Sequence, residues 1–505
     1  MTSPSKSLWR DHAEATPGYR RPLVVADSFE PGRRFDIVVA GAGLTGLTTA
    51  LLFARAGMSV AVIEARQVGA ATTGNTTAKV SLLQGTQASG ILRHQSLRVG
   101  RAYLESNREG MEWLLRYCRD NGIPVQRRDA YSYAGTPGGT KLVEREARAA
   151  RRLGLDAIMT TADELPYPSY GAVRLADQAQ INPMDVLARL ATDVQEHGGV
   201  IYERTALTGA HAGKLTTTVT TARGRLLASQ LILATGVPVL DRGLYFAKVV
   251  PRRSYALAFT VPGPIPEGMY ISVDSPTRSL RTAPLESGRR LLVGGNGHIV
   301  GRSDSTQARI DDLHAWTQEN FPGAERTHAW SAQDYEPVGR IPYVGWLPRG
   351  GGRIFLATGY DKWGMCNSVA AGLTLSADIL GGHLPWARTL HHRVTSVADV
   401  GSLLGANASV AVHLARGYAK ALTSQAPSAL PEAAGAVTHE GLRPVGLCRV
   451  DGDLHKVSAI CPHLGGVLSW NDAERSWDCP LHGSRFTATG SRLEGPALRD
   501  LRSPA

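Results

Sequence analysis

Two pairs of Cys and His residues near the end of the chain have the types and spacing of metal ligands. Cys461 and His463 form a C-x-H pair, and Cys479 and His482 form a C-x-x-H pair after fifteen intervening residues. Thiolate and imidazole groups bind transition metals, and two of each satisfy the tetrahedral coordination of a structural zinc ion. The spacing therefore predicts a metal site, and zinc is the first candidate for its metal.

A glycine-rich turn near the front of the chain predicts a dinucleotide site. An apolar strand over residues 37–40 leads into G-x-G-x-x-G at Gly41, Gly43 and Gly46, and a helix over 45–56 follows. The glycines permit a tight turn and close approach of the backbone to a pyrophosphate, and the helix N-terminus favours that anion. A second strand, 59–63, then delivers Glu64, whose carboxylate can accept both ribose hydroxyls. The motif by itself does not choose FAD over NAD.

Further segments resemble the D-amino-acid-oxidase-like superfamily of FAD-dependent oxidoreductases. They are ARQVGAATTGNTTAKV at 65–80, LILATGVPVL at 231–240 and IFLATGYDKWGMCNSVAAG at 354–372, and the segment 177–207 looks like the middle part of that family. The resemblance covers about residues 35–385. It implies non-covalently bound FAD in an α/β Rossmann-like domain, interleaved with an α+β substrate domain built on an antiparallel sheet.

The same resemblance implies which residues contact FAD. Glu64 would hold the adenosine ribose, Thr205 and Ala206 would lie beside adenine, and a helix beginning at Trp363 would point at the flavin pyrimidine. A helix N-terminus placed there would stabilise the anionic reduced flavin. The expected FAD-binding residues are Gly41, Gly43, Thr45, Gly46, Glu64, Arg66, Thr73, Thr77, Thr205, Ala206, Thr235, Gly236, Gly359, Trp363, Gly364 and Met365.

The two Cys/His loops resemble the cluster-binding loops of Rieske [2Fe-2S] proteins beyond their ligands. C-P-H-L-G at 461–465 and C-P-L-H-G-S-R-F at 479–486 match, as does GPAL at 495–498. The resemblance favours a cluster over zinc and implies that the two Cys bind one iron and the two His the other. High-potential Rieske centres join the loops by a disulfide, but Gly466 and Leu481 occupy the matching positions here. We therefore expect an intermediate or low potential, although a hydrogen bond from Ser484 to cluster sulfur would raise it.

Linker composition and the two resemblances divide the chain into parts. Residues 397–420 have a helical pattern, the Pro-, Ala- and Ser-rich stretch 423–436 predicts a linker, and PVGLCRVDGDLHKVSAIC predicts a hairpin with an Asp-Gly turn. The expected parts are an N-terminal extension at 1–34, a discontinuous FAD-binding domain at 35–80, 171–250 and 336–385, a substrate domain at 81–170 and 251–335, a helix and linker at 386–436, and a small all-β Rieske domain at 437–505. This order, with SLWRDHAEA at the front, resembles a bacterial family of FAD-dependent oxidoreductases with a C-terminal [2Fe-2S] domain.

Composition narrows the class of protein and its partners. With 505 residues, of which 43% are hydrophobic and 20% charged, the chain has the composition of a multidomain globular protein. Its formal net charge is +11, but the Arg residues are scattered singly, which argues against nucleic-acid binding. No apolar run has membrane length. The twin Arg at 33–34 is better explained by the start of the first strand than by an export signal. Five Cys residues make no disulfide framework and no secretory signal is evident, so a cytoplasmic location is expected.

A flavin and a one-electron cluster in one chain predict an oxidoreductase that splits electron pairs. A small amine, amino acid or related molecule with a CH–N or CH–OH bond would be oxidised at flavin N5, and single electrons would pass through the cluster to a carrier such as a ferredoxin or quinone. Electron flow in the opposite direction, from the cluster to the flavin, would use the same two cofactors. The candidate catalytic residues, chosen because they neighbour the flavin motifs, are Lys79, Arg253, Tyr255, Tyr360 and Lys362. A basic pair among them would suit a carboxylate-bearing substrate.

Two alternatives stay open: a flavin monooxygenase supplied with electrons by the Rieske domain, and a non-catalytic redox relay between protein partners. A Rieske oxygenase is disfavoured because His391 and His392 are adjacent and lack a companion set for a facial triad. The segment GGNGH at 294–298 is expected to be a turn and not a nicotinamide site. Cys366, beside the flavin helix, could form a covalent flavin bond only if it is exposed and has a lowered pKa.

Overall fold

A largely parallel sheet follows the glycine-rich turn. The computed structural model describes residues 6–15, 29–394 and 396–502. Strands are numbered along the chain, and the first sheet contains β1 (Arg34–Ala40), β2 (Val60–Ile63), β7 (Val200–Tyr202), β8 (Leu207–Ala212), β9 (Thr217–Thr221), β10 (Gly224–Leu233), β16 (Tyr343–Trp346) and β17 (Ile354–Thr358). Its main order is β16-β17-β10-β1-β2-β7, and the pairs from β17 to β7 are parallel. Every residue of β2 and β17 is buried, as central parallel strands require.

The second sheet is mostly antiparallel. It contains β3 (Lys79–Val80), β4 (Val125–Tyr133), β5 (Ile158–Thr160), β6 (Ala172–Ile181), β11 (Val249–Thr260), β12 (Met269–Ser272), β13 (Arg278–Leu285), β14 (Gly288–Ile299) and β15 (Glu325–Pro337). Long strands β11, β14 and β15 lie side by side, with β11 in the middle. Because β15 ends shortly before β16 begins, the chain returns here from the second sheet to the first.

The described helices pack on these two sheets or on one another, and the last of them packs on the C-terminal β-domain. They are α1 (Leu8–Ala15), α2 (Leu44–Arg55), α3 (Gln87–His94), α4 (Leu97–Asp120), α5 (Thr140–Leu153), α6 (Pro183–Glu196), α7 (Gln307–Asn320), α8 (Gly364–Leu380), α9 (Pro385–His391) and α10 (Val397–Thr423). A Cβ atom on Gly372 of α8 would lie 3.1 Å from Thr48 of α2, so these two helices pack closely. No helix within the described ranges is long and apolar enough to cross a membrane.

The C-terminal part is a small β-domain. Its strands form a three-stranded sheet of β18 (Gly435–Glu440), β19 (Arg443–Val450) and β20 (Asp453–Ser458) and a four-stranded sheet of β21 (Ser469–Asn471), β22 (Ser476–Asp478), β23 (Arg485–Thr487) and β24 (Arg492–Glu494). The predicted Asp-Gly hairpin is confirmed: Asp451 and Gly452, between β19 and β20, have φ values of 54° and 86°. Two positive φ values match the twist of a two-residue hairpin loop.

The fold class agrees with the prediction, but two local expectations were wrong. GGNGH lies inside β14 and not in a turn, because its glycines pair with β11 and β13 while Asn296 forms a bulge-like residue with φ 53°. β6 belongs to the second sheet, whereas the expected boundary at residue 171 groups it with the first. A strand that is mostly buried carries no signal of which sheet it joins. The division of the chain into domains otherwise stays a prediction.

Candidate functional site

The turn between β1 and α2 brings backbone segments into contact. A Cβ atom on Gly41, which has φ +112°, would lie 2.3 Å from the Ala234 carbonyl oxygen, and one on Gly46 would lie 1.8 Å from the Gly41 carbonyl oxygen. No side chain fits at either position. Gly43 caps α2, and the first residues of that helix line a cleft. The Leu44 N–H donates to Thr73 Oγ1 at 3.2 Å, and the N-terminus of the helix as a whole is placed to bind a pyrophosphate.

Glu64 follows β2 and lies at the same cleft. One of its carboxylate oxygens accepts a hydrogen bond from the backbone N–H of Ala42 at 2.9 Å, and the other accepts one from Arg66 at 2.9 Å. Each oxygen has a further lone pair with which it could accept from a ribose hydroxyl. The two backbone donors thus hold the carboxylate in position before any ligand binds.

The cleft encloses about 1480 Å³, part of which is open to solvent. Its length along the glycine turn, the end of β2 and the start of α8 suits an extended dinucleotide. Eleven of the sixteen expected FAD-binding residues line it: Gly41, Gly43, Thr45, Glu64, Arg66, Thr73, Thr235, Gly236, Gly359, Gly364 and Met365.

The other five, Gly46, Thr77, Thr205, Ala206 and Trp363, are not among the residues lining the cleft. Gly46 supports the turn from below, and the Thr205 N–H donates to the Glu64 carbonyl oxygen at 2.7 Å. Trp363 caps α8. Gly46, Thr205 and Trp363 thus support the segments that line the cleft, and nothing in the structure gives Thr77 or Ala206 such a role.

Tyr360 and Lys362 are the two candidate catalytic residues that line the cleft. The Tyr360 hydroxyl lies 2.9 Å from Thr45 Oγ1, and the Lys362 N–H donates to the Asp334 carboxylate. Both residues precede α8, so a strand-to-helix connection brings them to the cleft.

Lys79 and Tyr255, by contrast, lie in the second sheet away from the cleft. Lys79 Nζ donates to the Tyr270 carbonyl oxygen and the Ser279 hydroxyl, both at 2.7 Å, and burial lowers the pKa of the amino group. The Tyr255 hydroxyl lies 2.9 Å from His298 Nε2. Sequence proximity to flavin motifs misplaced both residues, because successive strand residues face opposite sides of a sheet.

Arg253 also lies elsewhere than expected. Its side chain is 4% exposed and pairs with Glu474 of the C-terminal domain, and Glu474 also pairs with Arg485. Asp478 accepts from Arg485 at 2.9 Å. Arg253 therefore belongs to a buried ion network between domains, and no basic pair formed with it faces the cleft.

Asp334, on β15, lies in the cleft and was missed from the sequence. Burial raises the pKa of its carboxyl to about 7; the nearby Asp361 adds to the rise, and the backbone bond from Lys362 opposes it. A carboxyl with a pKa near neutrality can take up and release protons at physiological pH. The sequence contained no signal for it, since Asp334 is one polar residue in an alternating strand.

The N-terminus of α8 faces the cleft with Gly364 and Met365. Cys366 is the next residue, but it is 2% exposed and its sulfur lies 3.8 Å from the Ser81 carbonyl oxygen. Burial raises the pKa of this thiol to about 12. A buried, protonated thiol does not attack a flavin, which supports non-covalent binding.

The two Cys/His loops of the C-terminal domain have matching backbone turns. The Gly465 N–H donates to the Cys461 carbonyl oxygen at 3.0 Å, and the Gly483 N–H donates to the Cys479 carbonyl oxygen at 3.1 Å. Both glycines have positive φ, 74° and 82°. The Cys461 and Cys479 thiols are hydrogen-bonded, and this bond lowers the pKa of Cys461. The loops thus present two adjacent sulfur ligands.

The two histidines have the ring nitrogens that iron requires. His482 Nδ1 is buried and has no hydrogen-bond partner in the described residues, and burial lowers the pKa of this ring to about 4. His463 Nε2 contacts the Asp241 carboxylate at 3.0 Å, which leaves Nδ1 for a metal. A carboxylate on the remote nitrogen is the usual support of a ligating His. The residues present fit two iron ions bridged by sulfide.

Zinc fits these loops less well. No group of three or more His, Cys, Asp or Glu side chains converges on one point within the described ranges, as a tetrahedral ion would need.

The positions that carry a disulfide in Rieske proteins of high potential are filled differently here. A Cβ atom on Gly466 would lie 2.7 Å from Leu481 Cδ1, so the leucine packs against this glycine. The Ser484 hydroxyl lowers the pKa of Cys461 and lies within reach of the sulfur.

The cluster loops contact the strand that lines the cleft. Gln333 Nε2 donates to the Gly483 carbonyl oxygen at 2.8 Å and lies 2.9 Å from the Tyr335 hydroxyl, and Tyr335 lines the cleft. Residues 492–495 of the C-terminal domain also line the cleft. The two candidate cofactor sites therefore share a wall.

Comparison with known proteins agrees with this geometry. Residues 36–377 match the family described as FAD dependent oxidoreductase, and residues 426–505 match the Rieske [2Fe-2S] domain. The chain belongs to the FAD-dependent oxidoreductase family and carries a C-terminal Rieske domain, and its cofactors are FAD and a [2Fe-2S] cluster. It is 31% identical over 471 residues, 92% of each chain, to the "Putative Rieske 2Fe-2S iron-sulfur protein YhfW" of Bacillus subtilis (strain 168).

Two solved structures share the fold of the larger part. Glycine oxidase from Geobacillus kaustophilus gives a TM-score of 0.60 at 18% identity and covers 70% of this chain and 96% of its own. L-proline dehydrogenase from P. horikoshii gives 0.59 at 17% identity, with 71% and 96% covered. The cluster region is 49% identical over 45 residues to cytochrome b6-f complex iron-sulfur subunit 1 of Nostoc sp. (strain PCC 7120 / SAG 25.82 / UTEX 2576), 9% of this chain and 25% of that protein.

Proposed function

We propose that the protein is a dehydrogenase of a small amine that passes the substrate's electrons singly from FAD to the Rieske cluster. The observation that carries this proposal is the Gln333 amide, which joins the second cluster loop at Gly483 to Tyr335 in the wall of the FAD cleft. This hydrogen-bonded contact holds a cluster loop against the wall of the FAD cleft, and such proximity suits electron transfer between the two redox sites.

The cleft residues would hold FAD as the geometry suggests, with the pyrophosphate at the N-terminus of α2 and the ribose at Glu64. Bound there, FAD supplies a two-electron acceptor for a CH–N bond, and the cluster supplies a one-electron acceptor. The α8 N-terminus at Gly364 would stabilise negative charge on the flavin ring. Cys461 and Cys479 would bind one iron, and His463 and His482 the other.

Asp334 is the group we assign to proton transfer. As a carboxylate it would attract an ammonium group, and with a pKa near 7 it could take one proton from the amine before the CH–N bond is oxidised. Lys362 and Tyr360 flank it in the cleft. Their side chains would orient the substrate.

Asp334 in the cleft suits an amine, and two of the basic residues considered for a carboxylate-bearing substrate lie outside the cleft. Arg253 forms an ion pair with Glu474, and Lys79 points into the second sheet. The Lys362 backbone N–H donates to Asp334, and the charge of its side chain lowers the pKa of that carboxyl only as a minor contribution. An amine would find a counter-charge in Asp334.

The test is anaerobic flavin reduction by a panel of small primary and secondary amines, matched amino acids and alcohols, followed at the flavin band and by EPR of the cluster. The proposal expects amines to bleach the flavin and then to produce a reduced-cluster signal with no other reductant. Flavin reduction only by a reduced ferredoxin would favour the redox relay. Oxygen uptake in step with substrate hydroxylation would favour the monooxygenase.

A further inference from the structure

The imidazole rings of the candidate cluster ligands are covered by the loop 241–248. Asp241 bonds His463, and the ring centroid of Phe246 lies 4.9 Å from that of His463 and 4.8 Å from that of His482. The side chain of His463 is 5% exposed, and His482 as a whole residue is also 5% exposed. A folded carrier protein that approaches from this side would therefore meet the loop before either ring, and electrons leaving here would pass through the loop.

A second cavity adjoins this loop. Tyr245 directly precedes Phe246 in the 3-10 turn Tyr245–Ala247 and lines a solvent-open cavity of about 1100 Å³ together with Tyr343 and Trp346. The Tyr245 and Tyr343 rings meet edge to face, with centroids 5.4 Å apart. Neighbouring Cα atoms lie about 3.8 Å apart, so a molecule against Tyr245 is one residue from the ring that contacts both histidines.

The cavity has positive charge without a matching acid. Lys248 Nζ lies 4.7 Å from the Tyr245 ring centroid, and the described residues give it no carboxylate partner. Arg393 bonds the carbonyl oxygens of Leu390 and Pro342 at 2.7 and 3.0 Å.

The acid in the wall of this cavity, Asp399, is already engaged. It accepts from Gln95 and contacts His94, both at 3.0 Å, so it does not neutralise Lys248. Burial and the nearby Arg393 lower the pKa of Lys248, which is the response of an ammonium group without a counter-charge. The aromatic rings and the Lys248 ammonium group of this cavity thus suit a planar molecule with electron-rich oxygens.

We propose that this cavity binds a quinone, which takes electrons from the cluster. Its ring would lie against Tyr245, Tyr343 and Trp346, and a carbonyl oxygen would accept a hydrogen bond from Lys248, which also stabilises the negative charge that develops on reduction. The quinone takes two electrons, one at a time, and two protons from solvent to become a quinol. Those electrons come from the amine, which leaves as an imine, so the electron source rests on the proposed function.

The test is equilibrium binding of menadione to the oxidised, cofactor-loaded full-length protein, measured by tryptophan fluorescence under air-free conditions. The matched pair is Lys248→Met, in the cavity, and Lys214→Met, at an exposed turn of the first sheet. Loss of one charge-assisted hydrogen bond, about 1.5–3 kcal/mol, should raise Kd roughly 10- to 100-fold in Lys248→Met and leave it unchanged in Lys214→Met. Trp346→Phe, at a position 58% exposed, should abolish most of the quenching.

Absence of saturable menadione binding, or equal Kd in Lys248→Met and Lys214→Met, overturns the quinone site. If Lys248→Met does not fold, an unaltered quenching amplitude in Trp346→Phe overturns it equally. These results would leave amine-driven reduction of flavin and cluster untouched. Conversely, Lys248-dependent menadione binding in a protein whose flavin no amine reduces would support the cavity and reject the proposed electron source.

Discussion

Gln333 and Gly483 are joined by a hydrogen bond of 2.8 Å that crosses from the second sheet to the cluster loop. Gln333 is 2% exposed, and a Cβ atom on Gly483 would lie 2.9 Å from its amide nitrogen. The same Cβ atom would lie 2.5 Å from Pro251 Cβ on β11, and Gly483 has φ 82°, so the close approach of the loop to the second sheet requires a glycine. Because Gln333 also reaches the Tyr335 hydroxyl, this one amide links the wall of the FAD cleft to the cluster loop.

Gln333→Leu should slow electron transfer from flavin to cluster by about 10-fold. The leucine keeps the volume but leaves a buried carbonyl and a buried hydroxyl without a partner, which costs about 1–3 kcal/mol and loosens the contact. The measurement is the rate of cluster reduction after a light pulse that reduces the flavin. The control is Gln180→Leu, a buried glutamine bonded to Thr282 within the second sheet. An equal rate in both variants would reject the role of Gln333.

Asp334→Asn should remove the pH dependence of flavin reduction. In the native protein the carboxylate form increases as pH rises through about 7, so the reduction rate by an amine should rise over that range. The Asn variant should be about 100-fold slower and flat, since general-base catalysis contributes roughly 10²–10⁴-fold. Stopped-flow reduction between pH 5.5 and 8.5 measures both. Glu336→Gln, on the same strand but paired with Arg252 and Arg340, is the control.

The raised pKa of the Asp334 carboxyl also predicts the direction in which the stability of the folded protein changes with pH. Its pKa is raised above the ordinary value of 3.8 in the folded protein. The folded state therefore holds a proton that the unfolded chain has lost, and this stabilisation disappears as pH rises from about 4 to about 7. Asp334→Asn should consequently gain stability relative to the native protein across that range. A constant difference between the two melting temperatures would contradict the raised pKa.

The sequence predicted the motifs well because they are local. The glycine turn, Glu64 and the cluster loops each lie within a short segment whose backbone dictates its residues, as at Gly41 and Gly483. The Asp-Gly hairpin is equally local. The Rossmann-like start followed from a strand, a glycine turn and a helix in register. The interleaved substrate domain and the Rieske domain of the predicted fold class were implied by the family resemblances.

Residues that act across domains could not be found in this way. Arg253 neighbours a flavin motif in sequence, yet its partner is Glu474, more than two hundred positions away. Nothing in the local sequence distinguishes Asp334, Gln333 and Asp241 from other polar residues. Their roles depend on how β15 and the loop 241–248 pack in the folded protein. Pairing at that distance depends on tertiary packing, which neither periodicity nor spacing encodes.

Asp241→Asn should raise the reduction potential of the cluster. The carboxylate lies 3.0 Å from His463 Nε2, and its negative charge disfavours the extra electron of the reduced cluster. Loss of about 1 kcal/mol corresponds to roughly 40 mV for a one-electron couple. Potentiometry followed by EPR measures the change, and Asp451→Asn, at an exposed turn of the Rieske domain, should leave the potential unaltered. A potential that falls or stays constant would show that Asp241 has no such role.

Glu474→Gln should detach the Rieske domain from the second sheet under mild conditions. Glu474 is 9% exposed and bonds Arg253 and Arg485, which hold the pKa of its carboxyl well below the usual range. Removal of the charge leaves buried guanidinium groups short of a partner, a change that typically costs about 3–5 kcal/mol.

Because the pKa of Glu474 is depressed, the stabilisation is present above about pH 4.5 and is lost as pH falls further. At pH 4 the native protein should therefore keep most of its advantage over Glu474→Gln and lose a first part of it, because the folded pKa lies well below that pH. Glu440→Gln, which breaks a half-exposed pair with Lys456, should cost at most about 1 kcal/mol at any pH. Urea titrations at pH 7.5 and pH 4, followed at the visible absorption of the cluster and the flavin, measure both differences. Equal midpoints for Glu474→Gln and the native protein at pH 7.5 would mean that other contacts, such as those of Gln333 and Asp241, hold the domains together without the ion network.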